Sequence, residues 1–184
     1  MKKAKSILLC TMGIALMGKA QNNNHKYYLE GQLCSGLQQK SPVNGVSGAF
    51  GFFMSKNANI DLRARELYNF PDKNVIGAIT VTYRYNFNNG FYMGAGLGHH
   101  HEINQNNYMG HPMESAMGIE KSIFHRSGLA AEMGYNFKPL TKTGFFSCIY
   151  PTANITATFM TRDHGPNPLI TANFGIKIGL KKWQ

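Results

Sequence analysis

The sequence lacks the residues and motifs on which most well-defined activities depend. It has three cysteines and one tryptophan, and nine acidic residues stand against nineteen lysines and arginines. It contains no phosphate-binding Walker loop, no dinucleotide-binding glycine fingerprint after a strand–helix unit, and no Gly-x-Ser-x-Gly nucleophile turn. It also has no run of lysines and arginines and no nucleic-acid-binding module. We therefore expect no cofactor and no nucleic-acid partner.

Apolar runs long enough for a membrane helix are missing beyond the start of the chain. The opening, MKKAKSILLCTMGIALMGKAQ, has early lysines, an apolar run over residues 7–17, and small residues at Gly18 and Ala20. This pattern predicts a signal peptide, residues 1–20, cleaved near Ala20, and a single exported domain, residues 21–184. Cleavage removes four lysines and lowers the formal charge from +10 to +6. Because a membrane helix needs about 20 apolar residues, residues 21–184 would have to cross a membrane as strands.

The chain has instead a long alternation of apolar and polar residues. In VIGAITVTYRYNFNNGFYMGAGLGHHHEI, residues 75–103, every second position is apolar or glycine over 75–87 and apolar over 91–97, on the two sides of the turn 88–90. The same alternation runs over residues 129–137 and 170–180. Since successive side chains of a strand point to opposite faces, each run predicts a strand with one apolar and one polar face. Residues 75–103 predict a hairpin.

Three features of these runs favour a membrane barrel over a soluble sandwich. The runs are about 10–14 residues long, which suits a bilayer crossing better than the usual globular strand of about 5–6 residues. Their polar faces are small or charged. Aromatic residues lie near the predicted strand ends, as interfacial girdles do, at Tyr27, Tyr28, Tyr68, Phe70, Tyr83, Tyr85, Phe87, Phe91, Tyr135 and Phe137. Because open strand edges are unstable in hydrocarbon, the predicted fold is all-β, a closed antiparallel up-and-down transmembrane β-barrel.

The number of strands is predicted from the runs and the turns between them. Nine runs qualify: 26–37, 46–55, 58–68, 75–87, 91–103, 113–120, 127–138, 145–160 and 169–182. An odd number conflicts with two termini on the periplasmic side. We favour eight strands, with residues 138–168 as a long outer loop that carries its own hairpin, over ten strands with a break at Pro151. Periplasmic turns are then expected at 56–57, 88–90 and 121–126, and outer links at 38–45, 69–74 and 104–112.

Several stretches resemble a known family. VTYRYNFNNGFYMGAGLG, SAMGIEKSIFHRSGLAAEMGYNF and the closing FGIKIGLKKW are similar to the outer-membrane protein A-like barrel domain of Gram-negative bacteria, in its Bacteroidetes style. The resemblance implies an outer-membrane location, outer-membrane lipid and lipopolysaccharide as surroundings, and insertion by the barrel assembly machinery. It also implies that Trp183, one residue from the end, belongs to the assembly signal, and that the protein is a monomer. Its motifs are specific for architecture and weak for activity.

Charged residues on the predicted polar faces form the first candidate site. They are Glu30, Asp61, Arg63, Arg65, Arg84, Glu102, Glu132 and Lys177. An eight-stranded barrel has an interior just wide enough for side chains, so we expect acids and bases to pair there as a closed network. The alternative is a gate or a narrow ion path, which would make the protein a small channel.

Histidines near one predicted strand end form the second candidate. His99 and His101 share a face, and His111 and His164 would lie at the same outer rim. Imidazole groups in such a cluster can bind zinc or copper. The spacing matches no established metal signature, however, so no metal site is expected and a metal-binding barrel remains an alternative.

The third candidate is a hydrolase site in FHRSGLAAE. His125 and Ser127 stand two residues apart, similar to the His-x-Ser of the outer-membrane lipid A 3-O-deacylases, which use Ser, His and Glu on the outer wall. Gly128 replaces the Asn of that family, and Glu132 has the opposite parity and should face the interior. The role of the orienting acid therefore stays unfilled. We also expect His125 and Ser127 at a periplasmic turn, whereas that family acts in the outer leaflet.

The sequence thus predicts a non-enzymatic integral outer-membrane barrel with a role in envelope structure or surface interaction through the outer loops 38–45, 104–112 and 161–168. The alternatives are a lipid A-modifying hydrolase and a small channel or metal-binding barrel. Cys34 and Cys148, which would meet an oxidising compartment, could form a disulfide or remain apart.

Overall fold

A closed barrel of eight antiparallel strands accounts for nearly all of the described chain. The computed structural model describes residues 25–104, 123–160 and 167–180. The strands are β1 (Tyr27–Gln38), β2 (Ser41–Phe53), β3 (Ala58–Asn69), β4 (Asn74–Asn86), β5 (Phe91–Asn104), β6 (Ile123–Asn136), β7 (Ile149–Met160) and β8 (Asn167–Gly179). A short 3-10 helix, Phe145–Cys148, precedes β7. Within these ranges no helix has the length and apolarity to cross a membrane.

Each strand pairs with its neighbours in sequence, and β1 closes the barrel against β8. The closing register runs from Tyr28 opposite Gly179 to Gln38 opposite Leu169. One end, here called the terminal end, carries the start of β1, the end of β8 and the links 54–57, 87–90 and 137–148. The other, here called the loop end, carries the links 39–40, 70–73, 105–122 and 161–166. The predicted all-β up-and-down barrel of eight strands is confirmed.

The two faces of every strand have opposite chemistry. The outward face exposes large apolar side chains, with Leu33 at 71%, Leu97 at 67% and Leu129 at 65% exposure. The inward face buries most of the charged and amide side chains of the strands. A protein surrounded by water does the reverse, so the outward face is suited to an apolar solvent.

Buried side chains occupy the interior at both ends and in the middle of the described barrel. At the terminal end it is filled by His25, Phe53 and Tyr150, which are 7%, 2% and 6% exposed. Charged side chains occupy the middle. Towards the loop end the apolar side chains of Cys34, Val43, Leu67, Ile76 and Leu169 form a buried cluster. The barrel is therefore filled by side chains, as expected for eight strands.

The number of strands, eight, is predicted correctly, but one of the eight is assigned to the wrong residues. Ile149–Met160 is the barrel strand β7, which pairs with both β6 and β8, and not part of an outer loop. Residues 145–150 alone are too short for a span, but β7 continues through Pro151, although proline cannot donate to a strand ladder. The ladder between β6 and β7 ends at Thr152 opposite Asn136, so Pro151 lies just outside it and its lack of an N–H breaks no bond of that ladder. The run 113–120 lies outside the described residues.

Two predicted links are also wrong. Residues 38–45 are not a loop, because Gln39 and Lys40 alone separate β1 from β2, with Gln39 at a φ of 57°. Residues 121–126 are not a turn at the terminal end, because β6 already begins at Ile123 and enters from the loop end. The predicted turns 56–57, 88–90 and 69–74 fall within or overlap observed links. Apart from residue 104, the predicted outer link 104–112 lies outside the described residues. The predicted signal peptide and Trp183 lie outside the described residues.

Aromatic rings cluster outside the barrel near the strand ends. At the terminal end Tyr85 and Phe87 have ring centroids 5.1 Å apart, and Tyr135 and Phe137 are equally close. Tyr28 does not belong with them, contrary to the sequence-based expectation. It is 1% exposed and points inward, since it has the parity of the interior residues of β1.

Glycines on the strands differ in the room around them, and this gives a first testable prediction. A Cβ at Gly96 would collide with the backbone carbonyl of Val81, whereas a Cβ at Gly48 would meet nothing within 4 Å. We expect Gly96→Ala to destabilise the barrel by about 1–3 kcal/mol, since backbone must move, and Gly48→Ala to be close to neutral. Urea-dependent folding into lipid vesicles measures both. Equal effects of the two variants would show that the tight β4–β5 approach is not required.

Candidate functional site: the interior network and the outer wall

Arg84 is the centre of the interior network. Its guanidinium forms an ion pair with Glu132 through two nitrogens, one of them 2.8 Å from Oε2. The same group lies 3.1 Å from Asp61 Oδ2 and donates to the Tyr28 hydroxyl at 2.9 Å. The side chains of Arg84, Asp61 and Glu132 are 1–2% exposed. Buried charges of this kind are stable only when they are paired and hydrogen-bonded.

Arg63 and Lys177 extend the network to the other side of the barrel. Arg63 lies 3.3 Å from Glu30 and 3.4 Å from Asp61. The Lys177 ammonium is 4.0 Å from Glu30, donates to Asn136 Oδ1 at 2.5 Å and lies 4.5 Å from the ring centroid of Tyr28. Six of the eight predicted interior charges thus meet, and three acids balance three bases. The list is Glu30, Asp61, Arg63, Arg84, Glu132 and Lys177.

The other two predicted charges lie nearer the loop end, away from this network. Glu102 pairs with Arg126 at 3.0 Å and accepts a hydrogen bond from Gln38. Arg65 is 3% exposed, and its hydrogen bonds go to the hydroxyls of Thr80 and Thr171, both at 3.4 Å. The interior therefore has a balanced ionic layer in the middle and a more basic layer above it.

Sequence reasoning missed several neutral members of the network. The Tyr28 hydroxyl donates to Asp61 at 2.8 Å and accepts from Asn59 at 2.9 Å. The Tyr92 hydroxyl accepts from Asn154 at 2.9 Å, and the Tyr92 ring lies 4.8 Å from the Arg84 guanidinium carbon. Strand parity would have placed both tyrosines inside, since each lies an even number of residues from a predicted interior charge.

The outer wall carries a histidine–serine pair near the loop end. His99 Nδ1 and Ser127 Oγ are 2.8 Å apart, because His99 on β5 stands opposite Ser127 on β6. The rings of His99 and His101 have centroids 4.7 Å apart. His125 stands opposite His101 in the register. Ser127 is thus at the loop end and not at a turn of the terminal end, and its histidine partner is His99.

An acid to complete a hydrolase triad is not provided by Glu132. That residue faces the interior, as its parity predicts, and is held by Arg84. The outward-facing acid on the described strands is Glu66, on β3. The register places Glu66 beside Gly77, and Gly77 beside His101. Strand β4 therefore lies between Glu66, the only outward-facing carboxylate on the described strands, and β5, which carries His99 and His101.

The two remaining candidates are weaker. His99 and His101 are the described members of the proposed metal set, and His111 and His164 lie outside the described residues. Across the described ranges, no three His, Cys, Asp or Glu side chains come together as a metal site. Cys34 and Cys148 are both free, with Cys34 facing the interior and Cys148 in the 3-10 helix at the terminal end.

Comparison with known proteins identifies the fold but not an activity. No family model matches the sequence, and no curated protein is significantly similar to it. Among solved structures, Neisserial surface protein A is similar with a TM-score of 0.58 and 12% identity, over 84% of this chain and 97% of that one. The outer membrane protein OprG from Pseudomonas aeruginosa gives a TM-score of 0.55 and 10% identity, over 88% and 100%. The chain has the fold of the small eight-stranded outer-membrane barrels.

Proposed function

We propose that this chain is a non-enzymatic integral outer-membrane barrel protein with a role in envelope structure or surface interaction through the connections at its loop end. Its fold is shared with small barrels of the outer membrane, and its outward face is apolar around the circumference. An apolar face of this kind is stable in hydrocarbon, and the closed ladder leaves no edge exposed there. Outer-membrane lipid and lipopolysaccharide are the proposed surroundings, and the barrel assembly machinery the proposed route of insertion. Residues 1–20 and Trp183 are the proposed export and assembly signals, and the protein is proposed to act as a monomer.

The observation that carries this proposal is the packed interior. Six charged side chains at most 5% exposed pair across the middle of the barrel. A cluster of apolar side chains is buried towards the loop end. At the terminal end, His25 Nε2 and the Tyr150 hydroxyl form a hydrogen bond of 3.1 Å. A solute would have to break buried ion pairs to pass, so this interior supports a structural barrel and opposes a channel.

A lipid-modifying hydrolase is the second candidate, and one observation favours it. The 2.8 Å contact of His99 with Ser127 is the distance at which a base can accept the proton of a nucleophilic hydroxyl. Both residues lie outside the barrel near the loop end, where an enzyme acting on outer-leaflet lipid would need them. Glu66, the outward-facing acid of the described strands, lies on β3, and β4 separates it from His99 on β5. A catalytic base needs its orienting acid within hydrogen-bond reach, and the register does not place Glu66 there.

Complementation separates the two candidates. In the bacterium that carries the gene, a deletion strain would be restored with wild type, with Ser127→Ala, or with a variant whose residues 105–122 are replaced by Asn-Gly. We expect Ser127→Ala to restore envelope resistance to a large hydrophobic antibiotic fully, and the replacement variant to fail although it folds. Heat-dependent gel mobility checks folding, and mass spectrometry of lipid A checks acylation. An altered acyl pattern with Ser127→Ala would establish the hydrolase instead, and restoration by the replacement variant would refute a role of that connection.

A further inference from the structure

Arg65 is the one interior cation of the described chain with no acid partner. Its side chain lies on β3 and is 3% exposed. One terminal nitrogen donates to Thr171 Oγ1 and the other to Thr80 Oγ1, both at 3.4 Å. Its Nε is buried without a hydrogen-bond partner. Two long bonds to neutral hydroxyls leave most of the charge of a buried guanidinium uncompensated.

Other unpaired polar atoms lie in the same layer of the barrel. His100 Nε2 and Thr158 Oγ1 are buried without partners, in residues that are 1% and 0% exposed. The methyl groups of Thr158 and Thr80 flank Gly98, since a Cβ there would lie 2.8 Å from one and 3.3 Å from the other. His100 follows two residues further along β5 on the same face. Buried polar atoms without a partner require an explanation, and those of Arg65, His100 and Thr158 would be satisfied by one ion bound between them.

The balance of charge identifies the sign of that species. The inward-facing charges of the described strands comprise five bases and four acids, namely Arg63, Arg65, Arg84, Arg126 and Lys177 against Glu30, Asp61, Glu102 and Glu132. Arg126 is paired with Glu102. Three acids and three bases balance in the middle network. The surplus is one positive charge, and it lies on Arg65.

We propose that the barrel holds one small monovalent anion, of the chemical class of chloride, against Arg65 and the hydroxyls of Thr80 and Thr171. Thr158 and His100 complete the site, each donating a hydrogen bond, with His100 in the tautomer that carries its proton on Nε2. The inward residues opposite Arg65 and Thr158 in the ladder have small side chains, at Ala78 and Ala130. A single negative charge matches the surplus, and the width of an eight-stranded barrel suits an ion of this size better than a phosphate.

Bromide is the probe, because it replaces chloride and scatters anomalously. Crystals of the refolded barrel grown in sodium bromide are expected to show one bromide within contact distance of the Arg65 guanidinium. In solution, the melting temperature should be higher by about 2–4 °C in sodium chloride than in sodium gluconate of equal ionic strength. This difference should vanish in Arg65→Met and persist in Lys56→Met, which removes an exposed charge from the 54–57 link.

The same experiments can overturn the site. A map without bromide at Arg65 refutes it, and so does a chloride-dependent shift that survives in Arg65→Met, since that would be a general salt effect. Thr171→Val is a second variant that keeps side-chain volume while it removes one donor, and it should weaken the apparent chloride affinity about tenfold. An unchanged affinity in Thr171→Val contradicts the proposal. If neither variant folds, the bromide map of the wild type decides alone.

Discussion

Replacing Arg84 with methionine is expected to destabilise the folded barrel by about 3–5 kcal/mol. The substitution removes the ion pair with Glu132, the contact with Asp61 and the hydrogen bond to Tyr28. Two buried carboxylates would then lose a large part of their compensation, and their desolvation cost would no longer be offset. Urea-dependent folding into lipid vesicles at pH 7, followed by tryptophan fluorescence, gives the free energy of unfolding.

Arg126→Met is the matched control for that experiment. Arg126 also pairs with an acid, but its side chain is 14% exposed and it lies outside the middle network. Its replacement should cost less than that of Arg84, about 1–3 kcal/mol, because one acid instead of two loses its partner and Glu102 keeps its hydrogen bond from Gln38. A loss below about 1 kcal/mol in Arg84→Met would show that the middle network does not stabilise the fold as its geometry implies. The double variant Arg84→Met/Glu132→Met should recover part of the loss, since it removes one orphaned charge.

Leu97→Arg is the second substitution with a large expected effect. Leu97 stands outward on β5 between Val81 and Leu129, and it is 67% exposed. If that face meets hydrocarbon, an arginine near the middle of the span should cost about 2–4 kcal/mol. In a barrel surrounded by water, the same change would be nearly neutral or would improve solubility. Folding into vesicles therefore tests the solvent of the outward face directly.

Leu140→Arg serves as its control. Leu140 is 56% exposed in the 137–148 link at the terminal end. It should tolerate the charge, since that link leaves the membrane span. Equal tolerance at Leu97 and Leu140 would contradict the membrane location proposed for the barrel. A loss confined to Leu97 would support it.

The faces of the strands could be predicted from the sequence because they depend on parity alone. Residues 75–87 and 91–103 alternate without interruption, so the outward position of Ile79 and the inward position of Arg84 followed from the pattern. The seven links were harder to predict. The stretch QQKSPVNG has the composition of a loop, yet most of it forms strand, and only a turn of two residues remains. Pairing with β1 and β3 outweighs composition there.

The partners within each face could not be predicted from parity. Which interior charges meet depends on how far each strand is shifted against the next, and this shift is set by the closure of the barrel. Arg84 on β4 thus reaches Glu132 on β6, while Arg65, on the same face as Arg63, forms no ion pair with an acid of the described strands. The same holds outside, where Ser127 contacts His99 across a strand boundary. His125, the neighbour suggested by sequence distance, stands opposite His101.

The pairing of β1 with β8 also determines when the protein can become a barrel at all. Tyr28 and Gly179 are neighbours in the finished ladder although nearly the whole chain lies between them. Such distant contacts form late, because the entropy of closing the intervening chain must be lost before they stabilise anything. Until β8 arrives, β1 presents an open row of donors and acceptors that hydrocarbon cannot satisfy. In the membrane location proposed for the barrel, insertion would have to be coupled to completion of the chain, and a partly made molecule would have to be kept from pairing with other strands.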